Sequence, residues 1–179
     1  MSLSQQRAVF AKAFATWEEH TRLWFVAVDD DQKNANIDIV FAAGDHDDGE
    51  PFDGKGNILA HAFFPRYGGD VHFDEDEIWS PNKTSGVDLY AVAVHEIGHS
   101  LGLKHSSNYL SIMAPFYKQY TGDVMHLHQV EENKHRRKQA APSSTRELQD
   151  NLNVAPKHYT CAHTPGRTTA NTLLSTRQS

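Results

Sequence analysis

Hydrophobic and polar positions divide the first 125 residues into a helix, four short strands, a second helix and loops. In residues 3–20, Val9, Phe10, Ala13, Phe14 and Trp17 form one apolar stripe at helical spacing. Leu23–Val28 and Ile37–Phe41 read as strands. In the second, Ile37, Ile39 and Phe41 share a face, with Asp38 and Val40 between them. Residues 43–57, AGDHDDGEPFDGKGN, are too rich in Gly and Asp for a regular element and predict a loop. Ile58–Phe64 and Val71–Asp74 are two further strands, joined by the turn-rich PRYGGD. The spacing then predicts a helix from about Gly86 to Leu101, with Ser85 as N-cap and Asp88 near its positive end. Gly102 is placed to end it in a left-handed turn. Residues 103–125 lack a period and read as structured loop. Leu127–Arg137 is compatible with a short helix, and the polar, weakly patterned sequence from Ala140 reads as a flexible tail. The expected organisation is one domain over 1–125, followed by a basic and polar segment over 126–179.

Composition narrows the function. A chain of 179 residues is long enough for one domain with its own core. Its mean hydropathy of -0.61, and the lack of any apolar run near the ~18 residues that span a bilayer, exclude a membrane-embedded reading. The single cysteine, Cys161, excludes an internal disulfide and a zinc site built on several thiolates. Residues 1–125 carry 9 Lys and Arg against 19 Asp and Glu, an acidic body unsuited to nucleic acid. Six of the twelve histidines fall between His46 and His105, which directs attention to metal. The start, MSLSQQRAVF, carries no signal-peptide pattern.

The most informative segment is HEIGHSLGLKH, His95 to His105. His95 and His99 stand four apart on the predicted helix, so both imidazoles face one way. A reversal at Gly102 can bring His105 to the same point. Three neutral imidazoles can hold Zn²⁺ and leave a fourth position open for water. Glu96 is placed to take a proton from that water and pass it to a leaving amine. A bare HExxH arises by chance in ordinary helices, where its histidines are satisfied core residues; HExxHxxGxxH is far more specific.

On these residues the chain resembles the catalytic domain of the matrixins (matrix metalloproteinases), within the metzincins. HEIGHSLGLKHS carries the zinc motif and the Ser that typically follows it. SIMAPFY is similar to the family's Met-turn, with Met113 eight residues after His105. DHDDGEPFDGKGNILAHAF resembles the structural-metal loop, VHFDEDEIW the fourth-strand segment and AKAFATW the first helix. The resemblance covers roughly residues 7–122. It implies an α+β, zincin-like fold with a twisted mixed sheet, two long helices and a Met-turn.

By that resemblance, Met113 floors the catalytic zinc, and Pro115 and Tyr117 wall the S1′ side of a substrate cleft. His46, Asp48, His61 and His72 would hold a second, structural zinc, a donor set that suits a closed tetrahedron. Asp53, Asp74 and Glu77, with the carbonyls of Gly54, Gly56 and Ile58, would hold Ca²⁺. A weaker second calcium site would use Asn36, Gly68 and Asp70; its loop is short, and Asn36 stands where the family has Asp. Strand Ile58–Phe64 would pair with an extended peptide through the backbone of Leu59 and Ala60. Ala91, smaller than the family's usual residue, implies a roomy S1′ pocket that accepts long apolar side chains.

The implied activity is a zinc endopeptidase acting on extended protein of the extracellular-matrix type. An extracellular setting and a tissue-inhibitor-type protein partner are implied with it. Three features depart from the family. Its first strand, which lies inside the sheet, has no counterpart before the first helix. Cys161, in YTCAHTPG, lacks the inhibitory PRCGxPD context. MHLHQVEENKHRRKQA replaces the closing helix, and its HRRK reads as a solvated basic face or an interaction patch. These departures support a competing function, a truncated, non-catalytic metal-binding relative acting as a binding module or an inactive fragment. Asn82-Lys83-Thr84 is a glycosylation sequon, relevant only in a secretory setting.

Overall fold

The computed structural model describes residues 1–28, 35–81 and 85–117, and the backbone of residues 157–163. Helix α1 spans Leu3–His20, as the apolar stripe predicts. Ser2 caps it by accepting from the Gln5 N–H, while the Gln5 side chain reaches back to the Ser2 N–H, closing a capping box. All five stripe residues are buried.

Strands β1 (Phe25–Ala27), β2 (Ile37–Ala42), β3 (Ala60–Ala62) and β4 (Val71–Asp74) fall within the predicted segments, β2 running one residue further and β1 and β3 shorter. A single 3-10 turn at Pro65–Tyr67 connects β3 to β4. The strand β7 (Lys157–His163) joins them, and the sheet order is β1-β7-β2-β4-β3. All neighbours are parallel except β3, which is antiparallel to β4 and lies at the edge. Among the described residues no strand precedes α1; the place between β1 and β2 is held by β7. The tail reading therefore does not extend to residues 157–163. The expected helix at 127–137, the HRRK run and the sequon at 82–84 lie outside the described residues.

The sheet's two faces differ, as the period-2 pattern requires. On one, Ile39 pairs in register with Val71 and Phe41 with Phe73, all fully buried. Phe10 of α1 packs on Phe41 and Phe73 at ring separations of 6.2 and 5.2 Å, and Phe14 packs on Phe25 at 4.7 Å. The other face carries His61 and His72, opposite each other in the β3–β4 register. It lies beneath the Gly- and Asp-rich loop 43–57, whose Phe52 is buried and stacks on His46.

Helix α2 spans Leu89–Ser100, starting three residues later than the spacing predicts. Its N-cap is Asp88, whose carboxylate accepts from the Tyr90 N–H at 3.1 Å, and Ser85 does not cap it. The cause is tertiary. Trp79–Ser80 (β5) and Val87–Asp88 (β6) pair in parallel, holding 87–88 extended. Gly86 adopts φ +73°, and a Cβ there would lie 2.0 Å from the Ile78 carbonyl oxygen. The end of α2 matches expectation. Gly102, at φ +93°, donates its N–H to the His99 carbonyl, and the Leu103 N–H reaches Gly98, a Schellman closure.

Gly98 sits inside α2 for a packing reason. A Cβ there would lie 2.4 Å from Met113 Sδ and 3.0 Å from Trp17. Gly98→Ala should therefore overpack the helix against the Met113 turn, at a cost of about 1–3 kcal/mol. Thermal unfolding should show the midpoint falling by roughly 2–4 °C per kcal/mol lost.

Candidate metal centres and cleft

α2 and the Schellman turn bring His95, His99 and His105 together. Their Nε2 atoms form a triangle with edges of 3.2, 3.2 and 3.3 Å. The other ring nitrogens fix the tautomers. His95 Nδ1 lies 2.7 Å from the Ile112 carbonyl, and His99 Nδ1 lies 2.7 Å from the Leu103 carbonyl. A carbonyl only accepts, so both Nδ1 atoms carry the proton and both Nε2 atoms present lone pairs. Two lone pairs 3.2 Å apart repel unless a cation lies between them. A tetrahedral zinc with Zn–N distances of about 2.0–2.1 Å needs nitrogen separations of about 3.3–3.4 Å, close to those observed. The residues fit the ion.

Met113 is fully buried beneath this triangle's helix, against Gly98, and its carbonyl accepts from the Ser106 N–H. The sequence singles out Met113 but misses the two orienting carbonyls, because a backbone oxygen leaves no trace in residue identity.

A second cluster joins the loop to the sheet. Asp48 Oδ2 lies 2.7 Å from His46 Nε2, 2.8 Å from His61 Nε2 and 2.7 Å from His72 Nδ1. His46 Nδ1 donates to the Gly44 carbonyl at 2.9 Å, so its Nε2 is bare, and that atom is buried with no hydrogen-bond partner. Four convergent donors, one of them an orphan, also fit a closed tetrahedral ion. Burial acts to raise the Asp48 pKa. Hydrogen bonds from His72, the Glu50 N–H and His61 outweigh it and hold the carboxyl below the usual range. These are the two clusters of three or more His, Cys, Asp or Glu ligand atoms among the described residues.

The calcium candidates are less convergent. Asp74 is fully buried, its Oδ2 lacks a partner, and burial raises its pKa. Glu77 accepts from the Gly56 N–H, while Asp53 accepts from Asn57 Nδ2 and the Ile58 N–H. Asp70, of the weaker set, accepts from the Asp38 N–H at 3.1 Å, and the Asn36 carbonyl packs against Gly69.

Beside the histidine triangle runs a cleft of about 270 Å³. Leu59 and Ala60 line it from the β3 side, Ala91, His95 and Glu96 from α2, and His105, Pro115 and Tyr117 from the segments beyond. Asn57, Ile58, Val92, Ile112, Ala114 and Phe116 also line it, and sequence reasoning does not single them out for the cleft. The Tyr117 hydroxyl accepts from the Asp88 N–H at 2.9 Å, tying the far wall to the start of α2.

Glu96 is buried, and burial alone pushes its pKa up to about 8. Burial lowers His95 to about 4, with the positive fields of His99 and His105 assisting and its bond to Ile112 opposing. Between pH 6.5 and 8 the metal-free folded chain therefore holds a proton on Glu96 that the unfolded chain has lost. The Glu96 contribution to stability falls as pH rises through that window, and the lowered pKa values of His95, His99 and His61 oppose it by a smaller amount. A decline of about 1–2 kcal/mol is expected, since one pKa unit is worth about 1.4 kcal/mol. Unfolding curves in chelator at pH 6.5 and 8 would read it, and Glu96→Gln should flatten the difference.

A helix bearing two of three convergent histidines, a glycine-closed turn to the third and a methionine packed below make up a candidate metal centre of the metzincin kind. The family model for matrixin matches residues 1–136, and the chain belongs to that family. It is 51% identical over 117 residues to human matrix metalloproteinase-15, covering 60% of this chain and 18% of that protein. It is 46% identical over 133 residues to human matrix metalloproteinase-16, covering 69% and 22%. With interstitial collagenase of Equus caballus it shares 52% over 115 residues, covering 63% and 24%. The chain thus spans about a fifth of the length of these curated relatives.

Proposed function

We propose that this chain is the catalytic part of a zinc metalloendopeptidase that cuts extended polypeptide. The observation carrying the reading is the Nε2 triangle of His95, His99 and His105, bare at His95 and His99, at a cleft that also presents Glu96. Zinc, when bound there, supplies Lewis acidity to water and to the scissile carbonyl. Glu96 accepts the proton of the attacking water and delivers it to the leaving amine. Its raised pKa suits both halves of that transfer near neutral pH. Edge strand β3 offers its backbone to the peptide by β-augmentation, with Leu59 and Ala60 as the nearest anchors.

His46, Asp48, His61 and His72 hold a structural zinc that pins loop 43–57 to the sheet. Asp53, Gly54, Gly56, Ile58, Asp74 and Glu77 hold calcium, supported by the orphaned, buried Asp74 Oδ2. Asn36, Gly68 and Asp70 form a weaker calcium site. The substrates are of the extracellular-matrix type, in line with the names of the relatives. An extracellular location and a protein inhibitor of the tissue-inhibitor type belong to the same reading.

The test is zinc content measured beside cleavage of a quenched generic peptide, with and without chelator. Two zincs and chelator-sensitive cleavage are expected. Zinc without cleavage would favour the non-catalytic binding module. Within the cleft, Ala91 predicts that a peptide library will show preference for long apolar P1′ side chains, and a preference for Ala or Gly there would refute the roomy pocket.

A further inference from the structure

The strand between β1 and β2 comes from residues 157–163, about 40 residues beyond Tyr117 and past the residues that the family model matches. β7 is bonded on both edges. Phe25, Val26 and Ala27 of β1 pair with Lys157, His158 and Tyr159. Ile37 to Phe41 of β2 pair in unbroken register with Tyr159 to His163. Among the described residues β1 has no other strand partner, and β2 has only β4 on its far side.

We propose that residues 157–163 are an integral strand of the catalytic domain, supplied from its C-terminal side, and that the second metal cluster depends on it. Two strand spacings of about 4.7–4.9 Å separate β1 from β2, a slot one strand wide. An empty slot leaves the facing N–H and carbonyl groups of both strands without ladder partners. It also turns β2, with its apolar Ile37, Ile39 and Phe41, into an open edge that invites aggregation. β2 is the strand on which β4 is built, with Val40 in register with His72, a member of the Asp48 cluster. A C-terminal segment is thus linked through one strand to a metal ligand. The inference does not rest on the peptidase reading; its zinc readout rests on the zinc proposed at the Asp48 cluster, while the exchange and cross-link readouts do not.

Amide hydrogen exchange on the intact 179-residue chain tests it directly. Amides of 157–163 should exchange at least about 100-fold more slowly than an unstructured segment, tracking those of β2. Exchange at the coil rate while β2 stays protected would overturn the proposal. A cross-link tests the register. Asp38 and Thr160 are register partners, and adjacent strands bring paired Cα atoms within disulfide range. In a Cys161→Ser background, Asp38→Cys with Thr160→Cys should close within one chain under mild oxidation, and Asp38→Cys with Thr169→Cys should not. Equal closure of both pairs, or closure only between two chains, would overturn it. Thr160→Pro removes a ladder N–H from a doubly paired strand and should halve the zinc bound per chain or worse, whereas Thr169→Pro should not. Unchanged zinc in Thr160→Pro would break the link to the cluster.

Discussion

Glu96→Gln should lower kcat/KM on any cleaved peptide by about 10²–10⁴, the usual contribution of a positioned general base, and leave zinc content unchanged. The separation follows from the geometry. The three ligand nitrogens are held by α2, the turn at Gly102 and the carbonyls of Ile112 and Leu103, and none of these contacts involves the Glu96 side chain. The Glu96 carboxyl is buried beside the cleft, with burial the cause of its raised pKa. Glutamine keeps the shape and removes the proton acceptor. Fold and ligand triangle should survive while proton transfer does not. Elemental analysis beside peptidase kinetics reads both quantities. Turnover within tenfold of the parent would mean that another group moves the proton.

Asp48→Ala should cost the chain one of the two zincs proposed for it and a large share of its thermal stability. The Asp48 carboxylate is the point where His46, His61 and His72 meet, so its loss leaves three nitrogens facing one another. An ion present at 1,000 times its Kd stabilises the fold by about 4 kcal/mol. For a chain of this size that is worth roughly 8–16 °C in the unfolding midpoint. The catalytic triangle lies on other elements, so one zinc should remain. Retention of both ions with an unchanged midpoint would remove this cluster from the list of metal sites.

How far the fold could be read from the sequence depended on how local the deciding interactions are. α1 was legible to the residue, because its stripe and the Ser2–Gln5 capping box lie within the segment itself. The start of α2 was not, because the contact that forbids an earlier start is between Gly86 and Ile78, in the segment that leads into β5. β7 was the least legible element. KHYTCAH has no strong alternation, and its strand conformation comes from partners more than 100 positions away. The sites divide in the same way. His95 and His99 share a helix face by spacing alone. The Asp48 cluster draws on a loop and two strands, and was readable only through family resemblance. The cleft-lining Ile112 and Ala114 flank Met113 directly in sequence, so the Met-turn itself was the available signal.

The bonds from His95 and His99 to backbone carbonyls carry a kinetic consequence. In a free imidazole the proton moves between two nitrogens, and a metal arriving at the wrong tautomer must wait for the exchange. Here the Ile112 and Leu103 carbonyls hold both protons on the far side of the rings before any ion arrives. Capture of zinc by the folded chain is then a matter of access and desolvation, with no internal proton shift on the path at either ring.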